Sequence, residues 1–127
     1  MINEQIEHKL KTVDEMLQVA ELNARHEFWN SAVNRLYYAC FHAVSALLIS
    51  MGHQDVKTHG GVKTLFSQYV IREGLMDRQW SYFYSSMFDS RSDADYDDFQ
   101  DYDRESVEEM LPKTQEFVTL VKNLIKP

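Results

Sequence analysis

An all-α fold, an antiparallel up-and-down bundle of four to five helices, follows from three observations. Apolar residues recur at steps of three and four through five segments, no segment alternates as a strand would, and only four Gly and two Pro interrupt 127 residues. Hydrophobic residues make up 44% of the chain and aromatics 13%. That is enough for one real core without metal or disulfide staples, in a length too short for two domains, so residues 1–127 read as a single helical domain.

The elements follow in order. Ile6, Leu10, Val13, Leu17, Ala20 and Ala24, with Glu, Lys and Gln between them, predict an amphipathic helix from Ile2 to about Glu27. Trp29 to Met51 has no Gly or Pro and is mostly apolar, so it is the expected central helix, closed by Gly52. Val62, Leu65, Phe66, Tyr69 and Val70 predict a shorter helix stopping near Gly74, with a first turn weakened by Gly60 and Gly61. Asp77 is the expected cap of a fourth helix that carries Trp80, Phe83, Tyr84, Met87 and Phe88 on one stripe and fades around Arg91. The last helix turns Val107, Met110, Leu111, Thr114, Phe117, Val118, Val121, Leu124 and Ile125 inward. Pro112 lies within it, where a kink or a restart is expected because proline removes a backbone donor.

On a wheel of about 100° per residue, the central helix has two unlike faces. Val33, Leu36, Tyr37, Cys40, Val44, Leu47 and Leu48 form a core face, on which Cys40 is inert packing. Opposite lies a stripe of Ser31, Arg35, Tyr38, His42 and Ser45, flanked by Ala32, Ala39, Ala43 and Ala46. A solvated face more often carries Lys and Glu, so something is expected to cover this one. One reading is an interface or binding groove in which Arg35 and His42 face a partner, with Ala39 and Ala46 as the seam of a homodimer. The other is a helix buried on both sides in one core, with Arg35 paired to a carboxylate and His42 hydrogen-bonded to backbone.

The run Ser31-Ala32-Val33-Asn34-Arg35-Leu36-Tyr37-Tyr38-Ala39-Cys40-Phe41-His42-Ala43 resembles the HEPN superfamily, the higher eukaryotes and prokaryotes nucleotide-binding domains. Thr58-His59-Gly60-Gly61-Val62 and the stretch Arg91 to Phe99 resemble the loop-to-helix and acidic-connector segments of its small stand-alone bacterial and archaeal members. The resemblance implies a helical domain, commonly homodimeric, often acting beside a small nucleotidyltransferase in toxin–antitoxin or stress and defence systems. Many active members carry an Arg, four to six residues, then a His, used for metal-independent RNA cleavage. Here Arg35 and His42 enclose six residues, and the polar residue that often follows the Arg is Leu36. Some relatives are binding or assembly modules. A catalytically silent nucleotide-binding or protein-interaction module and a purely structural homodimer therefore stand beside the ribonuclease reading.

The chemistry of the pair suits the task. Seven residues of helix rise about 10.5 Å and nearly complete two turns, so Arg35 and His42 share a face although they are far apart along the axis. Two-fold pairing of this face would bring Arg35 of one chain near His42 of another. Imidazole can move a proton near neutrality, and guanidinium holds phosphate oxygens while staying charged. Tyr38 lies one turn from each and could stack on a base, with Ser31, Ser45 and Arg91 as further RNA or nucleotide contacts. For Arg91 the alternative is a structural ion pair within the acidic connector.

No metal or cofactor is called for. Asp93, Asp95 and Asp97 lack the Gly and the Glu of a calcium loop, one Cys builds no structural zinc site, and His53 and His59 read as exposed loop residues. The chain carries 13 Lys and Arg against 20 Asp and Glu, a net charge of −7. Position changes its meaning: Asp93 to Glu109 holds nine acids and one base, −8, and the rest of the chain is near balance. That segment is expected to be a solvated edge or a docking site for a basic partner at Asp97 and Asp98, leaving room for a small RNA site elsewhere. A lone Cys40, no leader pattern, and apolar runs judged too short and polar to span a bilayer predict a cytoplasmic protein with no membrane partner.

Overall fold

The computed structural model describes residues 2–54, 58–96 and 101–125, with side chains at 4–54, 58–90 and 101–125. Five helices and no strand occur among them: α1 (Ile2–Arg25), α2 (Trp29–Ser50), α3 (His59–Phe66), α4 (Gln79–Tyr96) and α5 (Arg104–Leu124). A π-helical turn, Ser67–Ile71, continues α3.

Helix α1 ends in a tight turn in which Phe28 N–H donates to Asn23 O at 2.8 Å and Glu27 takes a left-handed φ of 62°. So short a link makes α1 and α2 neighbours, and they share the most extensive helix contact in the molecule. Helix α2 closes as expected at Gly52. With φ at 98°, Gly52 N–H donates to Ile49 O and His53 N–H to Leu48 O, the paired bonds that satisfy the last carbonyls of a helix. Helix α3 begins at His59, earlier than its apolar spacing suggests, because the Thr58 side chain accepts from Gly61 N–H at 3.0 Å and caps the glycine-weakened turn. Asp77 does cap α4, its Oδ1 accepting from Gln79 N–H at 2.9 Å.

Two expectations change. Helix α4 runs to Tyr96 instead of fading at Arg91, so the first acids of the segment are helical and the connector proper is shorter. Asp97 and Asp98 lie outside the described residues. Helix α5 passes through Pro112 without a restart. Pro112 and Glu108, whose carbonyl loses its partner, both lie on the exposed side, where water can serve that carbonyl.

One buried cluster takes residues from every helix: Val13 and Ala20 of α1, the core face of α2, Val62 and Phe66 of α3, Trp80, Tyr84 and Met87 of α4, and Phe117, Val118 and Val121 of α5. All seven residues expected on the core face of α2 are buried. By length and composition α2 is apolar enough to cross a membrane, contrary to expectation, but 78% of that window is buried inside the bundle. Its apolar character is spent on α1, α4 and α5. The start of α2 is also tied to the far end of the acidic segment. Asn30 Oδ1 accepts from Tyr102 N–H at 2.8 Å, Asn30 Nδ2 donates to Asp101, and Arg104 pairs with Glu27 at 2.9 Å. Asp103 caps α5, and the bond from Ser106 N–H holds its carboxyl below the usual carboxylate range.

Candidate functional site

Helix α1 covers much of the polar stripe of α2. Ala32, Ala39, Ala43 and Ala46 are fully buried in the single chain, and Ala39 and Ala43 share a cluster with Val13 and Ala20 of α1. The expected dimer seam at Ala39 and Ala46 is therefore corrected: both side chains are fully buried within one chain, Ala39 in the cluster it shares with α1, and leave no surface for a second copy.

Within the stripe, Arg35, Tyr38 and His42 stay half-buried. Arg35 donates through Nε to Asn34 Oδ1 at 3.0 Å, and through Nη2 to the same oxygen. Its Nη1 points at Met16 Sδ of α1, 3.5 Å away, and its guanidinium lies 5.4 Å from the centre of the Tyr38 ring. Among the described residues no carboxylate pairs with it, so the amide and the ring orient the cation without neutralising it.

The Tyr38 ring also stands 6.3 Å from that of His42, so it lies within reach of both members of the pair. His42 Nδ1 is buried and has no hydrogen-bond partner among the described residues. Burial pushes the imidazole down to about 4, helped by the positive field of Lys9, His59, His8 and Arg35.

The other residues of the stripe separate. Ser31 is exposed and lines a shallow groove with Trp29, Asn30 and Tyr102 at the start of α2. Ser45 is buried and lines a different groove, of about 410 Å3, with His8 and Lys9 of α1. Arg91 falls inside α4, and its side chain lies outside the described residues.

His59 belongs to the site, although its place near a loop suggested an exposed residue. Its Nδ1 is 2.7 Å from the hydroxyl of Tyr37, its ring stacks on Phe41 with centroids 4.1 Å apart, and Tyr38 meets it edge-on at 5.6 Å. Tyr37 is fully buried, so a core residue reaches out to fix the ring. The early start of α3 makes this contact by placing His59 in its first turn. Asn34, Lys9 and His8 were also missed; Asn34 stood beside Arg35, but nothing in its type distinguished it from a surface amide. His53, by contrast, meets the ring of Tyr69 at a tilt, with centroids 4.4 Å apart. Among the described residues no three His, Cys, Asp or Glu side chains gather as a metal site. Cys40 is fully buried beside Thr114, and burial pushes its thiol far up, so no thiolate forms near neutrality.

The profile of the HEPN domain matches residues 6–124, which takes in α2 to α5 and all of α1 but its first turn. The chain belongs to the HEPN domain family. It is 34% identical over 121 residues to a UPF0332 protein of Thermotoga maritima, covering 95% of this chain and 91% of the relative. It is 28% identical over 125 residues to a Methanocaldococcus jannaschii protein named "Putative toxin MJ0605", covering 98% and 92%, and 28% identical over 124 residues to a UPF0332 protein of Archaeoglobus fulgidus, covering 96% of each. The Arg35 and His42 that carry the HEPN pattern both fall inside the matched range. Leu36, which follows Arg35, is fully buried in the main core cluster.

Proposed function

We propose that this HEPN protein is a metal-independent endoribonuclease of the toxin type, acting as a cytoplasmic homodimer controlled by a small nucleotidyltransferase partner. The observation that carries the reading is the half-buried imidazole of His42, neutral at pH 7 and with Nδ1 unpartnered among the described residues, beside a guanidinium held by Asn34 and not cancelled by a described carboxylate.

In this reading His42 takes the proton of the ribose 2′-hydroxyl as that oxygen attacks phosphorus. The bond to the 5′-oxygen breaks, leaving a 2′,3′-cyclic phosphate, and a proton passes to the departing oxygen. His59, held by Tyr37 and Phe41, stands in place to give that proton. Arg35 holds the phosphate oxygens as negative charge grows on them. A base held near 4 is weak for this work, but the bound phosphate opposes the positive field of Lys9, His8 and Arg35 and raises it. The kcat/KM profile therefore keeps the low acid limb of the free protein, and the kcat limb moves to higher pH.

Support for a paired toxin comes from the relative's printed name and from the HEPN resemblance. The fully buried alanines leave a homodimer to use other surfaces of this chain. The deciding measurement is cleavage of RNA by the purified protein in EDTA. Arg35→Ala and His42→Ala should each lower the rate about a thousandfold, with helical content unchanged by circular dichroism. An inert wild type, freed of any partner, overturns the enzyme reading.

A further inference from the structure

The groove that adjoins the stripe is not explained by the reaction itself. It runs between the N-terminal part of α1, the C-terminal half of α2 and α3, with a volume of about 410 Å3, inside the roughly 300–1,000 Å3 range of small-molecule pockets. Phe41, Leu48 and Val62 contribute apolar lining, and Leu48 and Val62 are almost completely buried, so they serve as floor. Gln5 of α1 and Gln54 beyond α2 contribute an amide each, and Lys9 a cation. Among the described residues no carboxylate lines the groove.

We infer that this groove is a nucleotide subsite: it takes one nucleobase of the RNA on its apolar floor and the adjoining phosphate at Lys9. Flat aromatic faces suit the Phe41, Leu48 and Val62 surface. An amide offers both a donor and an acceptor, which matches the edge of a base, and two such groups meet the groove from different elements. A purely apolar ligand would leave Lys9, Gln5 and Gln54 desolvated and unpaired. The groove is also joined to the candidate chemistry. Phe41 and Ser45 line it from either side of His42 along α2, Lys9 contributes to the field on His42, and Phe41 carries His59 stacked against it. A nucleotide seated here presents its phosphate on the side of His42, so the groove decides which residue of an RNA chain lies next to the cut.

The inference rests on the ribonuclease reading for its place in a reaction, but its test does not need turnover. Isothermal titration calorimetry of the full chain with adenosine 5′-monophosphate, uridine 5′-monophosphate and ribose 5-phosphate reads the groove directly. Lys9→Gln and Gln5→Ala alter solvent-reachable side chains of α1, and thermal unfolding confirms that both variants keep the fold. The expected result is binding of at least one mononucleotide, weakened about tenfold by Lys9→Gln and several-fold by Gln5→Ala, with ribose 5-phosphate at least tenfold weaker. Equal affinity for ribose 5-phosphate removes the base from the proposal and overturns it. So does a nucleotide affinity untouched by either variant, or no nucleotide binding up to millimolar concentration. If the wild type cleaves RNA but binds no mononucleotide, the groove fails and the reaction stands. If it binds nucleotide through Lys9 but leaves RNA intact, the reaction fails and the groove stands.

Discussion

The two faces of α2 are both covered by the rest of the chain, yet they are finished differently. On one face Leu36, Tyr37, Cys40, Val44 and Leu47 are buried to completion among residues of α1, α3, α4 and α5. On the other, the alanines are sealed but Arg35, Tyr38 and His42 stay half-buried, with a buried Nδ1 that no described group satisfies. Burial alone does not distinguish core from site. Nor do unmade hydrogen bonds, since among the described residues Tyr84 Oη and Thr114 Oγ1 in the core lack partners as well; the second face differs in keeping a cation and an imidazole within reach of solvent.

The largest test of that contrast sets one substitution on each face. Leu36→Ala removes fully buried atoms from the central cluster and should cost about 2–5 kcal/mol, read as a lower urea midpoint with unchanged slope. His42→Phe keeps the aromatic volume and discards the unpaired nitrogen, so stability should stay within about 1 kcal/mol of wild type while RNA cleavage disappears. A His42→Phe protein as unstable as Leu36→Ala would mean that the imidazole is a structural group after all, and the contrast between the faces would collapse.

The seam between α1 and α2 gives a smaller effect. Ala39→Leu forces a larger side chain between helices that already touch at Ala20 and Val13, and overpacking of this kind costs about 1–3 kcal/mol. The loss should appear as a lower urea midpoint at a fixed protein concentration, with the mass by light scattering unchanged. A variant of wild-type stability whose mass by light scattering falls from dimer to monomer would restore the seam to the role that the helical wheel first suggested.

That correction marks where the sequence stops being informative. Periodicity assigns each residue of α2 to a face, because the helix repeat is a property of the backbone, and both the core residues and the shared face of Arg35 and His42 were legible in it. Small residues say only that something approaches closely; they do not say whether it is α1 or another chain. His59 was hidden for a related reason. Its contact with Tyr37 spans 22 residues of sequence and exists only because Thr58 starts α3 early. The length of α4 was obscured by its composition, since closely spaced aspartates read as connector although the helix carries the first of them to Tyr96.

The smallest effect is on acid stability, and its sign follows from the same unfinished face. His42 titrates near 6.5 when unfolded and at about 4 in the fold, where burial and the neighbouring Lys9, His59, His8 and Arg35 oppose its charge. Between these values the unfolded chain binds the more protons. The contribution of His42 to stability is therefore complete above about pH 6.5 and is lost as pH falls towards 4. The full shift overstates the loss because the ring is only half-buried and solvent screens it, which leaves on the order of 1–2 kcal/mol. Carboxylates such as Asp103 add their own acid dependence, so the useful quantity is a difference. Urea unfolding of wild type and His42→Phe at pH 7 and pH 4.5 cancels whatever the two proteins share. Wild type should lose more stability than the variant on acidification. Equal losses would mean that His42 accepts its proton as easily folded as unfolded, and then the face would hold an ordinary solvated histidine instead of a base kept neutral for use.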